Sequence, residues 1–399
     1  MSVSERFLKY VGFETTSNEE SESVPSSDKE LLLGRYLADE LKAMGIEDAR
    51  LDECGYVYGS LPANKEGLPV IGLIAHMDTA PDASGADIKP EIIHYEGGDI
   101  VRKSGVITDE KTFEFLKNYA GQDLIITDGT TLLGADDKAG VAEIFETIEY
   151  LINNPEIRHG KILIGITPDE EIGCGTDHFD LENFAADFAY TIDGGALGEI
   201  EYENFNAATA KININGVVIH PGSAKDKMKN AILIGTELMD MLPPAETPAH
   251  TEGYEGFYHV VGFSGVCERA SMGIIIRDHD MKKFVERKAF MQSVVDYLNK
   301  KYGDGTIELS LEDSYYNMKE KILPVIHIVE RAEKAMKAAG VTPKVQPIRG
   351  GTDGARLSYE GLPCPNLSTG GENFHGVHEF VSIQSMEKMV EVLVNLVTE

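Results

Sequence analysis

The chain has 399 residues and a formal net charge of −31 at pH 7, and 42% of its residues are hydrophobic and 26% charged. Its length exceeds what one hydrophobic core usually holds, so we expect two domains. The strong negative charge disfavours nucleic acid and anionic membrane surfaces as partners.

The cysteines and the apolar segments exclude two further classes. Cys54, Cys174, Cys267 and Cys364 are far apart and form no C-x-x-C pair, which argues against a disulfide framework or a thiolate zinc site. The N-terminal stretch lacks the apolar core of a signal peptide, and no apolar run reaches 18 residues. These features predict a cytoplasmic protein without a membrane segment.

Helical and strand patterns alternate along the first half of the chain, as they do in α/β folds. "SSDKELLLGRYLADELKAMG" predicts a helix with Ser27 and Glu30 at capping-box spacing and Gly45 at its end. The apolar run before "HMD" predicts a buried strand, and residues 83–130, rich in Gly and Asp, predict an insertion carrying hairpins. Further elements follow: a helix over 139–154 and buried strands over 161–168 and 187–193.

After residue 206 the pattern changes to a half-exposed strand, a helix, two strands and a long helix. This order suits a small α+β module, and the α/β pattern resumes near residue 315, with a final helix from about Ser385. We therefore predict a large mixed-sheet α/β domain in two parts, 1–206 and 313–399, with a smaller α+β domain inserted at 207–312.

Acidic and imidazole side chains follow the predicted strands where each strand ends. They are His76 and Asp78, Asp136 and Asp137, Asp169 to Glu171, Asp193, and, near the C-terminus, His375 and His378. At an effective dielectric of ~20, two like charges ~4 Å apart repel by roughly 4 kcal/mol. Such a cluster needs cations, and carboxylate plus imidazole suits zinc, manganese or cobalt.

Each of these motifs alone has an ordinary structural interpretation. "GADDKAG" is also typical of a helix N-terminus, where aspartates are favoured, and "DEE" of a solvated loop. The combination is more specific, because every group follows a buried-looking strand or a turn. H-E-x-x-H, the G-x-S-x-G elbow and the P-loop are all absent.

The motifs "AHMDT", "LLGADDKAG", "PDEEIGCGTDHFD", "YTIDGG" and "NFHGVHEF" resemble those of the large family of two-zinc aminopeptidases, carboxypeptidases and deacylases. The phrases "TEGYEGFYH" and "EDSYYNM" are similar to those of its tripeptide aminopeptidases. The resemblance covers nearly the whole chain. It implies that the large domain is the catalytic domain of a zinc peptidase, that the inserted domain is its lid, and that short peptides are its substrates.

The resemblance also implies the ligands of two zinc ions. His76, Asp136 and Asp193 would hold the first ion. Asp136, Glu171 and His375 would hold the second, so that Asp136 is shared. A cis peptide bond is implied after Asp136. Cobalt or manganese could replace zinc with the same ligands.

Two of these assignments depend on neighbouring residues. The family places its histidine ligand four residues before a glutamate, here Glu379, which favours His375 over His378. Asp78 would orient His76 by accepting the proton of its other ring nitrogen, which fixes the tautomer and raises its basicity.

The remaining roles concern the reaction and the substrate. Glu170 would take a proton from the water that bridges the two ions and pass it to the departing amine. His220 would donate to the developing oxyanion, and Arg277 and Arg349 are candidates for binding the terminal carboxylate of the peptide. A turn histidine and surface ion pairs are the structural alternatives for these three residues.

The metal ligands cannot separate a tripeptide aminopeptidase from a dipeptidase, a carboxypeptidase or an N-acyl amino acid deacylase, because these enzymes differ in which end of the substrate they bind. A non-catalytic metal-binding protein is disfavoured by the presence of Glu170. Related enzymes often form dimers through the lid's edge strand or helix, so the resemblance also implies a homodimer.

Overall fold

The computed structural model describes residues 1–398. Within them the α-helices are α1 (Val3–Tyr10), α2 (Glu30–Met44), α3 (Ala135–Asn153), α4 (Ala231–Asp240), α5 (Met281–Tyr302), α6 (Lys319–Ile322), α7 (His327–Ala338), α8 (Asp353–Glu360) and α9 (Ile383–Val397). None of these helices is long and apolar enough to cross a membrane.

The strands, in chain order, are β1 (Arg50–Leu51), β2 (Val57–Leu61), β3 (Ile71–His76), β4 (Pro90–Tyr95), β5 (Ile100–Val101), β6 (Ile107–Thr108), β7 (Gln122–Thr127), β8 (Ile162–Thr167), β9 (Phe188–Gly194), β10 (Glu199–Glu201), β11 (Asn206–Asn215), β12 (Phe257–Gly265), β13 (Arg269–Asp278), β14 (Ile307–Tyr315), β15 (Lys344–Val345), β16 (Asn366–Ser368), β17 (Gly371–Glu372) and β18 (Phe380–Ser382). The chain divides into two compact units. The first comprises Met1–Tyr202, Glu320–Gln346 and the residues from Thr352 onward, and the second comprises Glu203–Lys319 and Pro347–Gly351.

The first unit is built on an eight-stranded mixed sheet with the order β1-β2-β8-β3-β9-β16-β10-β15. Its four central strands, β8, β3, β9 and β16, run parallel to one another. Every residue of β3 and of β8 is buried, as expected for parallel strands covered on both faces. Their carboxyl ends therefore meet at one edge, where α/β sheets place their ligands.

A second sheet of the first unit, with the order β17-β18-β7-β4, joins the 83–130 segment to the C-terminal part of the chain. β7 pairs antiparallel with β18, and Phe380 lies opposite Ile126. The loop that follows β7 and the loop that precedes β18 are thereby brought side by side. The sequence pattern predicts the hairpins but not this long-range partner.

The second unit contains a four-stranded antiparallel sheet, β12-β13-β11-β14, with α4 and α5 packed against it. Alternate residues of β11 and β13 are buried in a core shared with these helices. The edge strand β14 is not among the predicted elements. Most of its residues are exposed or half-buried, so its apolar alternation is weak.

The start of α2 differs from the prediction. Lys29 is the N-cap residue and makes no side-chain capping bond, so the capping box of Ser27 and Glu30 is wrong. Glu30 is instead fully buried, and its carboxylate accepts the N–H of Asp169 at 3.2 Å. The predicted end is confirmed, because Gly45 closes the helix with φ of 98°.

Candidate metal centre

The predicted ligands lie together at the carboxyl edge of the central sheet. His76 ends β3 and Asp193 is the penultimate residue of β9, a parallel neighbour. Glu171 lies in a single 3-10 turn just after β8. Asp136 lies in the first turn of α3, and His375 lies between β17 and β18. Three strand ends, one helix start and one loop thus converge.

The first half of the cluster surrounds the ring of His76. Its Nε2 lies 2.9 Å from Oδ1 of Asp136 and 3.3 Å from Oδ1 of Asp193. Its Nδ1 lies 3.2 Å from both Oδ1 and the carbonyl oxygen of Asp78. The position next to Asp78 agrees with an orienting role for that carboxylate.

The second half surrounds His375. Its Nε2 lies 3.0 Å from Oε2 of Glu171 and 3.2 Å from Oδ2 of Asp136. Its Nδ1 lies 3.5 Å from the exposed carboxylate of Asp82, a residue in the segment after "HMD" that no motif marks. The two oxygens of Asp136 therefore face different imidazoles, one on each side.

The neighbour of Asp136 has a different task. The peptide bond between Asp136 and Asp137 is cis, as the resemblance implies. The buried carboxylate of Asp137 accepts the N–H groups of His76 at 3.1 Å and Gly140 at 3.3 Å. It thus supports the end of β3 and the start of α3, while Asp136 faces the rings.

Burial and close charges shift the pKa values of the cluster. Burial opposes the charged form of His76, but neighbouring carboxylates, led by Asp193, outweigh it and raise its pKa well above the usual value. Hydrogen bonds to Asp136 and Glu171 raise the pKa of His375 to about 11. Burial raises the pKa of Glu171 to about 8 and that of Asp193 to about 7. Burial and the crowding of acids therefore favour the neutral carboxyls of Glu171 and Asp193, while the same acids favour the charged imidazoles.

The donor atoms fit divalent metal ions. Two overlapping groups place one ligand atom from each residue within 4.8 Å of one another: His76, Asp136 and Glu171, and His76, Asp137 and Asp193. Oε1 of Glu171 is buried and has no hydrogen-bond partner among residues 1–398, an arrangement that a cation would satisfy. Imidazole nitrogen with carboxylate oxygen is the ligand set of zinc and its transition-metal neighbours.

Glu170 lies directly beside these ligands. Its N–H donates to Oδ1 of Asp78 at 3.0 Å, and the N–H of Glu171 donates to Oδ2 of the same carboxylate at 3.1 Å. Asp78 therefore holds both the ring of His76 and the turn that carries the two glutamates. Burial, followed by the charge of Asp193, raises the pKa of Glu170 well above its usual value.

The chain on both sides of this turn is held by residues that sequence patterns do not reveal. Asp353, at the start of α8, accepts the hydroxyl proton of Thr167 at 2.7 Å. Arg356, on the same helix, donates to the carbonyl of Gly173 and pairs with Asp177. No local motif signals these contacts, because α8 is far from the turn in sequence.

The three residues predicted to contact substrate lie in the second unit. His220 is exposed, and its Nδ1 accepts a backbone N–H two residues further on. Arg277 donates through Nη1 to two backbone carbonyls and lies over the ring of Tyr315. Arg349 donates to backbone carbonyls and a hydroxyl within residues 251–255.

Known proteins resemble the chain along almost its whole length. Residues 202–306 match a family model described as a peptidase dimerisation domain. Peptidase T of Clostridium novyi is 58% identical over 99% of this chain and 98% of the relative, and peptidase T of Caldanaerobacter subterraneus is 59% identical with the same coverage. Among solved structures, aminopeptidase PepT from Bacillus cereus matches with a TM-score of 0.79 and 26% identity, over 99% of this chain and 97% of that one.

The mixed sheet, the dimerisation-domain match and the imidazole–carboxylate cluster define a metal-binding peptidase. The chain belongs to the peptidase T family, as its identity to these relatives over nearly its full length shows. The fold class and the peptidase resemblance predicted from the motifs are thereby confirmed.

Proposed function

We propose that this protein is a dinuclear zinc aminopeptidase that releases the N-terminal residue of tripeptides. The observation that carries the proposal is the position of the Asp136 carboxylate between two imidazoles, with its oxygens 2.9 Å from His76 Nε2 and 3.2 Å from His375 Nε2. Membership of the peptidase T family supports the substrate class.

The ligand assignment follows the two halves of the cluster. His76, Asp136 and Asp193 would hold one ion, and Asp136, Glu171 and His375 the other. When bound, the two ions would polarise the scissile carbonyl and lower the pKa of a water molecule. Zinc is proposed because the ligands are two imidazoles and three carboxylates, a set that also accepts cobalt and manganese.

The proton transfers are proposed for Glu170. Its carboxylate would accept a proton from the attacking water and return it to the departing amine, first as a general base and then as a general acid. A half-buried glutamate whose pKa is raised above its ordinary value suits both roles, because it accepts a proton more readily than an ordinary carboxylate and can still return it. Asp78 would fix the position of the His76 ring relative to the backbone of Glu170.

Substrate contacts are proposed for His220, Arg277 and Arg349. Among the hydrogen bonds of the described residues, Arg277 uses only Nη1, which leaves Nη2 and Nε for a peptide carboxylate. We further propose an inserted lid at 207–312, a homodimer formed through the segment that matches the dimerisation model, and a cytoplasmic location.

The test is mass spectrometry of the products from a tripeptide of three different residues, with its N-acetylated and C-amidated forms as controls. We expect release of the first residue only, abolished by acetylation and by a chelator and restored by zinc. Release of the last residue, or removal of the acetyl group, would contradict the aminopeptidase assignment. Loss of cleavage on amidation would show that the far end of the peptide is bound.

A further inference from the structure

Glu379 makes an unusual set of contacts beside the metal centre. Its carboxylate is buried, and Oε2 accepts the N–H groups of Leu133 at 2.6 Å and Gly134 at 2.9 Å. Oε1 accepts those of Ala135 at 2.7 Å and Asp136 at 3.2 Å. A carboxylate has about four acceptor positions, so one side chain uses them all on four consecutive backbone groups that end at Asp136.

Glu379 is also close in sequence to His375, a proposed ligand in the other half of the centre. His375 lies four residues before Glu379, on the loop that leads into β18. His375 and Asn373 have φ of 62° and 58°, a left-handed conformation that is uncommon outside glycine. Glu379 therefore connects the segment that carries His375 with the segment that carries Asp136.

Glu379 is itself held from behind. The buried guanidinium of Arg102 donates through Nη2 to the carbonyl oxygen of Glu379 and through Nη1 to that of Thr127, each at 3.1 Å. Thr127 ends β7, whose pairing with β18 fixes the residues on either side. Arg102 and the pairing of β7 with β18 thus hold the backbone of Glu379 in place.

We propose that Glu379 is a positioning residue whose carboxylate sets the distance between the metal ligands Asp136 and His375. The inference rests on the proposed dinuclear site. It predicts an asymmetry, because His76 and Asp193 are held by strands of the central sheet, whereas Asp136 and His375 depend on this contact. The ion bound by Asp136, Glu171 and His375 should therefore respond most to a change at Glu379.

The test compares E379Q with E372Q in the full-length protein. Glutamine keeps the size of Glu379 but turns one acceptor oxygen into an NH₂ group that faces two N–H donors. Glu372 is a half-buried acid on β17, just before the loop that carries His375, and it accepts the hydroxyl proton of Tyr119 at 2.8 Å, so E372Q is the matched control. Stepwise zinc dissociation constants are measured by competition with a chromophoric chelator.

We expect E379Q to weaken one zinc equivalent by about 10- to 100-fold, the usual effect of losing an outer-shell partner, and the other much less. E372Q should leave both constants unchanged. The shorter E379D keeps the charge and should fall between wild type and E379Q, and it takes the place of E379Q if that variant fails to fold. The proposal would be overturned if E379Q had the zinc dissociation constants of wild type. It would also be overturned if E379Q and E372Q weakened both zinc sites to the same extent.

A second measurement separates this inference from the proposed function. Hydrogen exchange of the peptide covering residues 133–136 is followed in chelator-treated protein, where no metal contributes. We expect faster exchange there in E379Q than in wild type or E372Q, and equal exchange would refute the positioning role. Failure of wild type to bind two zinc ions would refute the dinuclear function, and the exchange result would still decide the role of Glu379.

Discussion

The two imidazoles of the centre are held in different ways. His76 ends a fully buried strand, its side chain is 2% exposed, and Asp78 and Asp137 fix its ring and its N–H. His375 lies on a loop with positive φ, and its side chain is 43% exposed. One half of the centre is positioned by the sheet, and the other by contacts between distant loops.

This difference has a physical consequence. A strand residue has its backbone fixed by hydrogen bonds on both sides and by close packing, so only the orientation of its ring depends on a side-chain partner. A loop ligand also depends for its backbone position on a few buried side chains, and losing one of these releases it. Measuring both metal affinity and kcat in variants around each imidazole should therefore show how each half of the centre is held.

The largest effect should come from Glu170, which belongs to neither set of ligands. E170Q removes the proton acceptor but keeps the shape, so we expect kcat to fall by about 10²- to 10⁴-fold, the usual contribution of general acid–base catalysis. Zinc content should stay at the wild-type value, whereas E171Q should lose metal as well as activity. Metal analysis and steady-state kinetics check both, and activity of E170Q within tenfold of wild type would contradict the assignment.

A matched pair of aspartates compares the two halves directly. D78N disturbs the partner of His76 and the acceptor of two N–H groups, so metal affinity or kcat should fall by about 10- to 100-fold. D82N disturbs only an exposed carboxylate 3.5 Å from His375, and its effect should be within a few-fold because exposed pairs contribute little. An equal loss of metal affinity or kcat in both variants would show that the exposed partner of His375 matters as much as the buried partner of His76.

The two halves also differ in how far the sequence predicts them. The buried apolar runs predict that His76 and Asp193 lie at strand ends. Because parallel strands end at the same edge of a sheet, the two residues are also predicted to lie near each other. The pairing of β7 with β18 joins residues more than 250 apart in sequence, and periodicity carries no information on such partners. The contacts of Glu379 follow from this pairing, and the burial of Glu30 follows from its contact with the distant Asp169, so local patterns could not reveal either.

The second unit allows a smaller test of the two arginines. R277Q should raise KM about tenfold through loss of a carboxylate contact, with a smaller loss of stability than R349Q, because two backbone carbonyls lose their donor instead of three. R349Q should also lower the free energy of unfolding by about 1–3 kcal/mol, because backbone carbonyls within 251–255 lose their donor. Kinetics and thermal unfolding separate the two effects, and an unchanged KM in both variants would remove the arginines from the substrate site.

An acid outside the ligand set, Glu372 on β17, should make the stability of the fold depend on pH. Burial raises the pKa of Glu372 to about 7 from its ordinary 4.5, and Glu199 adds to this. The folded protein therefore holds this proton more tightly than the unfolded chain. The contribution of Glu372 is most favourable below pH 4.5 and is lost as the pH rises to 7, by at most about 3 kcal/mol.

E372Q removes this titration while keeping the shape of the side chain. Chelator-treated E372Q should therefore lose less stability than wild type between pH 5 and pH 8, as urea unfolding at several pH values would show. The difference between the two proteins isolates Glu372, because the acids of the metal centre titrate in both. Identical pH profiles would mean that Glu372 is already ionised in the fold, with Lys344 or Tyr119 compensating its charge.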